Sequence, residues 1–279
     1  MDKIIKDTSF DEERALFASE NLTLFNVRFD GAADGESALK ESKGVTVENC
    51  YFNLRYPLWH VDGLKICGCT MTENCRAALW YSNGVSIENT TLGGIKAVRE
   101  CKGVKMFNCS IISPEFGWFT HDVIIENCQA VSEYFLLKAS DISLKNTDFN
   151  GKYSFQYVEG GVIENCTLNT KDAFWHAKGL HIKNCKVIGE YLGWYSEDLT
   201  FENCEISGTQ PLCYCKNLRL VNCAMSGCDL AFEKSEVNAT ITTKIDSVKN
   251  PYSGEIYAPA VGEIILCDPL ANGKVAISK

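Results

Sequence analysis

Val123-Ile-Ile-Glu-Asn127-Cys128 decides the fold, because close copies of it return every 19 residues. Val85-Ser-Ile-Glu-Asn89-Thr and Val104-Lys-Met-Phe-Asn108-Cys precede it. Ile142-Ser-Leu-Lys-Asn146-Thr, Gly161-Val-Ile-Glu-Asn165-Cys, Leu180-His-Ile-Lys-Asn184-Cys, Leu199-Thr-Phe-Glu-Asn203-Cys and Leu218-Arg-Leu-Val-Asn222-Cys follow it. Looser copies end at Asn26, Asn49 and Gly68. A fixed period of this size marks a solenoid, in which each repeat buries its apolar face against its neighbours.

Within the phrase, apolar and polar residues alternate, as in a strand with one buried face. The Asn that closes it suits a sharp bend, since Asn tolerates left-handed backbone, and Gly68 reaches the same backbone by lacking a Cβ. A second short strand follows, with Cys and an apolar residue such as Phe52, Ile111 or Val187 inside. A third short strand is predicted around Leu58, Leu79, Val98, Leu136, Phe155, Phe174 and Leu212. Eight of the 15 cysteines, Cys50, Cys69, Cys109, Cys128, Cys166, Cys185, Cys204 and Cys223, directly follow the repeat Asn or Gly. In-register side chains point in parallel, and Thr90 and Thr147 replace Cys without breaking the period. These thiols therefore read as a reduced interior ladder rather than a disulfide stack.

Three short strands and three turns per repeat resemble the right-handed parallel β-helices of the pectin-lyase-like type, which carry an Asn ladder at one sharp turn. The expected fold is all-β: a single right-handed parallel β-helix of about 11 coils of about 19 residues. Residues 1–279 form one domain, with 1–21 as an N-terminal cap, 22–241 as coils and 242–279 as C-terminal capping strands. Glu13-Arg-Ala-Leu-Phe17, Gly35-Glu-Ser-Ala-Leu-Lys-Glu41, the Asn-Cys repeats, Asn250-Pro-Tyr-Ser-Gly254 and Val261-Gly-Glu-Ile-Ile265 resemble an uncharacterised bacterial β-helix family known only as a domain of unknown function. That resemblance implies a fold and supplies no reaction.

The net charge of −9 disfavours nucleic acid and anionic membrane, which need clustered Lys and Arg. It leans against polyanionic sugars as well. No run is apolar enough to span a bilayer, and the first residues lack the apolar core of a secretion signal, so a cytoplasmic location is expected. No metal or cofactor site is expected: Cys67-Gly-Cys69 and Cys213-Tyr-Cys215 have too narrow a gap for common zinc knuckles.

The period leaves little room for insertions except at Asp30-Gly-Ala-Ala-Asp-Gly-Glu-Ser37 and Thr72-Glu-Asn-Cys-Arg76, and loops on a rigid scaffold are where function concentrates. All five Trp residues, Trp59, Trp80, Trp118, Trp175 and Trp194, share one row of the third strand. The next row includes Glu41, His60, Tyr81, Glu100, Phe119, Lys138, Tyr157, His176, Tyr195 and Tyr214. The Trp row also admits Lys40, Arg99, Gln156 and Cys213, too varied for a tightly packed interior. Both rows are therefore placed outside, with a bulge or bend between them.

An exposed face of this kind is a candidate sugar platform, with flat rings flanked by groups that reach hydroxyls. Its ligand-binding candidates are Trp59, Trp80, Tyr81, Trp118, Trp175, His176, Trp194 and Tyr195. A cation–π sandwich of Arg99 between Trp80 and Trp118 is expected. Glu41, His60, Asp62, Arg99 and Glu100 form the densest ionisable group and are the catalytic candidates; if the protein is an enzyme, they point to a polysaccharide lyase or glycoside hydrolase. The alternative is a non-catalytic scaffold whose aromatic face is covered by a homo-oligomer or another partner.

Overall fold

The computed structural model describes residues 3–31 and 36–277. The described chain is all-β without helix, a parallel solenoid of about 14 turns. The turn count exceeds expectation because stretches lacking the Asn-Cys phrase also carry strands in register. Lys3–Lys6 pairs in parallel with Glu20–Phe25, and Glu255–Ala258 with Lys274–Ile277. Pairing there needs only backbone N–H and C=O groups, so the side-chain signature is dispensable.

Two compact units divide at Ile142/Ser143. In unit 1, the first side of the coil stacks Glu20–Phe25, Lys43–Glu48, Asp62–Cys67, Asn83–Glu88, Lys102–Phe107 and His121–Glu126 in one register. The aliphatic row predicted from the phrase, Val45, Leu64, Val85, Val104 and Val123, is buried. On the second side the short strands align Phe29 and Phe52, whose rings stack at 4.9 Å. Unit 2 repeats this arrangement from Glu159–Glu164 through Lys178–Lys183, Thr200–Glu202 and Leu218–Ser226 to Val237–Ile241.

The repeat Asn residues hold left-handed backbone, with φ of 52° at Asn49, 55° at Asn127 and 53° at Asn184. Asn203 Nδ2 donates to Asn184 Oδ1 one coil away at 3.3 Å. All 15 cysteines are free. Each ladder thiol is occupied: the Cys50 N–H donates to Cys69 Sγ at 3.3 Å, and the Cys50 thiol donates to the Glu48 carbonyl at 3.2 Å. Thr90 does the same work where Cys is missing, its Oγ1 accepting from the Cys69 N–H at 3.2 Å. That equivalence explains why Thr substitutes without disturbing the period.

The predicted third strand is where the structure departs from expectation. In unit 1 the described residues keep short parallel pairs there, Leu79–Trp80 with Val98–Arg99 and Glu115–Phe116 with Tyr134–Phe135, and a bridge between Arg99 and Trp118. In unit 2 this side is a run of turns with a left-handed residue at every second position. Tyr153, Phe155 and Tyr157 have φ of 50°, 58° and 56°, and Asp172, Phe174 and His176 have 52°, 62° and 54°. Left-handed backbone costs a residue with a Cβ about 1–2 kcal/mol. Cross-coil hydrogen bonds compensate, with Tyr157 N–H donating to the Trp175 carbonyl at 2.8 Å and Phe174 N–H to the Ser154 carbonyl at 2.9 Å. Burial of Phe155 and Phe174, both fully enclosed and stacked at 5.2 Å, adds to this.

This backbone sets the side-chain directions. Strict alternation would put either the Trp row or its neighbour inside. At Trp118, Trp175 and Trp194 a left-handed residue just before and just after the Trp turns both rows outward, and at Trp59 and Trp80 the residue after it, His60 or Tyr81, is left-handed; the Trp residues are half-buried and the next row is more exposed. The expected bend exists as left-handed corners rather than a bulge.

Candidate functional site

In unit 1 the inner of the two outward columns is a mixed stack. Lys40 Nζ lies 4.6 Å from the Trp59 ring centroid, Trp59 stacks on Trp80 at 5.4 Å and 12°, and Arg99 follows. The Arg99 guanidinium carbon sits 5.0 Å from Trp80 and 5.2 Å from Trp118. The expected cation–π sandwich is therefore present, on a side chain only 18% exposed.

The outer column pairs His60 Nδ1 with Glu41 Oε1 at 3.5 Å and sets His60 edge-on to Tyr81 at 5.0 Å. Glu100 Oε1 accepts from Trp80 Nε1 and Arg99 Nε, both at 3.3 Å. A hydrogen bond from the Tyr81 hydroxyl to Glu100 holds that phenol above its ordinary pKa.

Tyr81, Arg99, Glu100, Phe119 and His121 line a shallow depression of ≈ 460 Å³. His121 Nδ1 is within 2.8 Å of Ser140 Oγ, which in turn donates to Asp141 Oδ2 at 3.2 Å. Of the catalytic candidates, the structure brings Arg99 and Glu100 into this depression. Glu41 and His60 form a separate pair, and Asp62 opens the strand Asp62–Cys67 outside the lining. Paired carboxylates across a cleft are thus not assembled among the lining residues. The single carboxylate present is engaged by three donors, which suits positioning better than proton transfer. Phe119 and His121 join the site without having been named as candidates for it; Phe119 shares the Tyr81–Glu100 column and His121 follows one turn on beside the same face, which were the available signals.

The two early insertions differ in what can be said of them. In 30–37, residues 32–35 lie outside the described residues. Thr72–Arg76 is fastened to the scaffold: Asn53 Oδ1 accepts from Thr72 Oγ1 at 2.6 Å and Asn74 Nδ2 at 2.9 Å, and Cys75 is buried. Trp118, Trp175 and Trp194 each donate their indole N–H to a carbonyl of the next coil, those of Tyr134, Tyr191 and Gln210. Trp59 departs from this pattern, its buried Nε1 having no partner among the described residues.

Unit 2 carries the outer column as an uninterrupted ring stack and the inner one as a Trp pair between Gln156 and Cys213. Trp175 and Trp194 lie 5.5 Å apart and 5° from parallel. In the outer column Tyr157–His176, His176–Tyr195 and Tyr195–Tyr214 stack at 4.8, 5.2 and 4.8 Å, each within 12° of parallel. Rings stacked at the strand spacing spend their faces on one another and turn their edges outward. The expected platform of flat exposed rings is therefore corrected: the surface consists of ring edges, with the phenols and the imidazole on the more exposed column. Tyr157 and Tyr195 are 44% and 48% exposed.

No curated protein matches the chain in sequence. Among solved structures it is similar to PfbA, a surface adhesin of Streptococcus pneumoniae, at 10% identity and TM-score 0.39, over 94% of this chain and 83% of that one. It is similar to the A-module of the Azotobacter vinelandii mannuronan C-5 epimerase AlgE4 at 9% identity and TM-score 0.35, over 98% and 89%. The catalytic domain of a GH87 α-1,3-glucanase matches at 10% identity and TM-score 0.31, over 99% and 63%. A family model covers residues 3–278, and on that match the chain belongs to the DUF3737 family, proteins of unknown function.

Proposed function

We propose that the protein binds carbohydrate, without turning it over, along the exposed outer column of the turn side. The observation that supports this reading is the four-ring stack Tyr157–His176–Tyr195–Tyr214, stepping at 4.8 to 5.2 Å. This presents hydroxyl and imidazole edges at a pitch close to one sugar unit of an extended glycan. Each edge offers a hydrogen-bond donor or acceptor beside apolar ring carbon, the combination that sugar hydroxyls and C–H faces need. Non-catalytic binding is favoured because Glu100 in the unit 1 depression is already held by Trp80, Arg99 and Tyr81. The reading predicts retention on a glycan array that His176→Ala and Tyr195→Ala each weaken by about tenfold. An array with no retained glycan, or variants that bind as the wild type does, would count decisively against it.

A second reading, that the columns are covered by another protein or a second copy, is favoured by one observation: the Trp stack is complete in itself. Trp175 and Trp194 pair one ring face with each other and donate their indole N–H groups within the chain at 2.6 and 2.8 Å. Sedimentation separates the two, since the covered face requires a species heavier than 31.0 kDa at micromolar concentration.

A further inference from the structure

The first side of unit 2 carries a second surface, independent of the turn side. Its outward residues form two columns across the strands. In one, His181, Thr200, Arg219 and Asn238 are register partners in turn. In the other, Lys183, Glu202 and Val221 align, and Thr240 pairs with Tyr257. Short side chains at Thr200, Val221 and Thr240 make a floor. His181 and Glu202 wall one end, their Nε2 and Oε2 2.9 Å apart, and Glu255 and Tyr257 wall the other, joined by a 2.5 Å hydrogen bond.

The result is two adjoining depressions of ≈ 520 and ≈ 220 Å³ that share Arg219 and Val221. Together they run over five strands, ~19 Å at the usual strand spacing.

The charges in this groove are unevenly matched. Glu202 faces His181, Asp198 Oδ1 accepts from Asn217 Nδ2 at 2.7 Å, and Glu255 is met by Tyr257 and by Lys274 at 3.5 Å. Arg219, at the junction of the depressions, has no ion pair and no side-chain hydrogen bond among the described residues. A guanidinium is a forked donor that matches an oxyanion bidentately. The carboxylates and amide around it accept from and donate to hydroxyls, and the Tyr257 ring is 44% exposed.

We infer that this groove is a binding site for a sparsely acidic oligosaccharide, with Arg219 taking its carboxylate or sulfate and Asp198, Glu202, Asn238 and Tyr257 taking neighbouring sugar units. A polymer charged at every unit is disfavoured, because Asp198, Glu202 and Glu255 would face its other anionic groups. The site does not depend on the turn-side columns.

The test measures binding of the full chain to hyaluronan octasaccharide, to its carboxyl-reduced neutral form, to a keratan sulfate octasaccharide and to oligogalacturonate. The expected result is preference for hyaluronan, keratan sulfate or both over the neutral and the fully acidic chains; which of the two is retained separates carboxylate from sulfate. Arg219→Ala and the groove-filling Thr200→Trp each weaken binding by about tenfold or more. In a background carrying both His176→Ala and Tyr195→Ala, which removes the turn-side column, Arg219→Ala weakens binding by the same factor, so the turn-side reading can fail without affecting this one. Equal or absent binding of all four probes, or an Arg219→Ala variant that binds as the wild type does, overturns the inference.

Discussion

The turn sides of the two units occupy the same place in the coil and differ in chemistry. In unit 1 the Trp column is broken by Arg99, and the neighbouring column alternates acids, imidazole and phenol around a depression. In unit 2 the outer column is ring on ring, and the inner one is a Trp175–Trp194 stack between Gln156 and Cys213. The backbone accepts either, because the left-handed corners fix side-chain direction and leave identity free. Glu100 and Tyr195, so different in chemistry, have φ of 50° and 59°. Scaffold and surface are thus separately adjustable, and the contrast can be probed from both directions.

The largest effect belongs to what the units share, the inward column. Phe174 is fully buried and contacts Phe155 and Phe201 at 5.2 and 6.1 Å, so Phe174→Ala is expected to cost about 3–5 kcal/mol in denaturant unfolding. Tyr195→Ala, one column further out, is expected to cost about 1 kcal/mol or less. Comparable losses at both positions would mean that the outer ladder carries stability.

Next is Arg99. Arg99→Ala removes ring contacts to Trp80, Trp118 and Phe119 and the ion pair to Glu100 at 3.3 Å, for an expected loss of about 1–2 kcal/mol. Arg99→Trp should recover most of that by converting the column to the unit 2 type, while filling the depression. A Trp variant less stable than the Ala variant would show that the two columns are not interchangeable.

Smaller still is a titration. The Tyr81 phenol is raised because Glu100 accepts its proton-bearing hydrogen bond. The neutral phenol is therefore the form favoured in the fold, and this contribution is present below pH ~10 and lost as pH rises through the folded pKa. In ¹³C-labelled tyrosine spectra, Glu100→Gln should lower the Tyr81 midpoint. An unchanged Tyr81 midpoint would remove Glu100 as the cause.

Thiol labelling at neutral pH checks the ladder without changing stability. Cys67 and Cys267 are exposed and should react at once. Burial pushes Cys101 up to about 12, and it should react only on unfolding, as should the ladder thiols.

Much of this was legible in Val123-Ile-Ile-Glu-Asn127-Cys128, because its signals are local: alternation gives the strand, Asn the corner, and Cys or Thr the interior acceptor. The turn side was not, because its left-handed positions are filled by Tyr, Phe and His, residues that announce no such backbone, and cross-coil hydrogen bonds rather than propensity hold them there. The outward placement of the Trp row followed from its variability; the stacking that hides the ring faces did not, since it depends on coil spacing. The groove at Arg219 was least legible. An unpaired guanidinium is a fact about what its neighbours fail to do, and Tyr257 comes from a coil without the phrase.

The central claim, that the outer column of unit 2 is read by a glycan lying along it, makes a demand on ligand length. Affinity for a homologous series of oligosaccharides that the protein retains, measured by calorimetry with the Arg219→Ala variant to silence the groove, is predicted to rise with each added sugar and level off once the chain spans Tyr157 to Tyr214. Affinity independent of length, or a rise that persists when His176 and Tyr195 are both alanine, would contradict it.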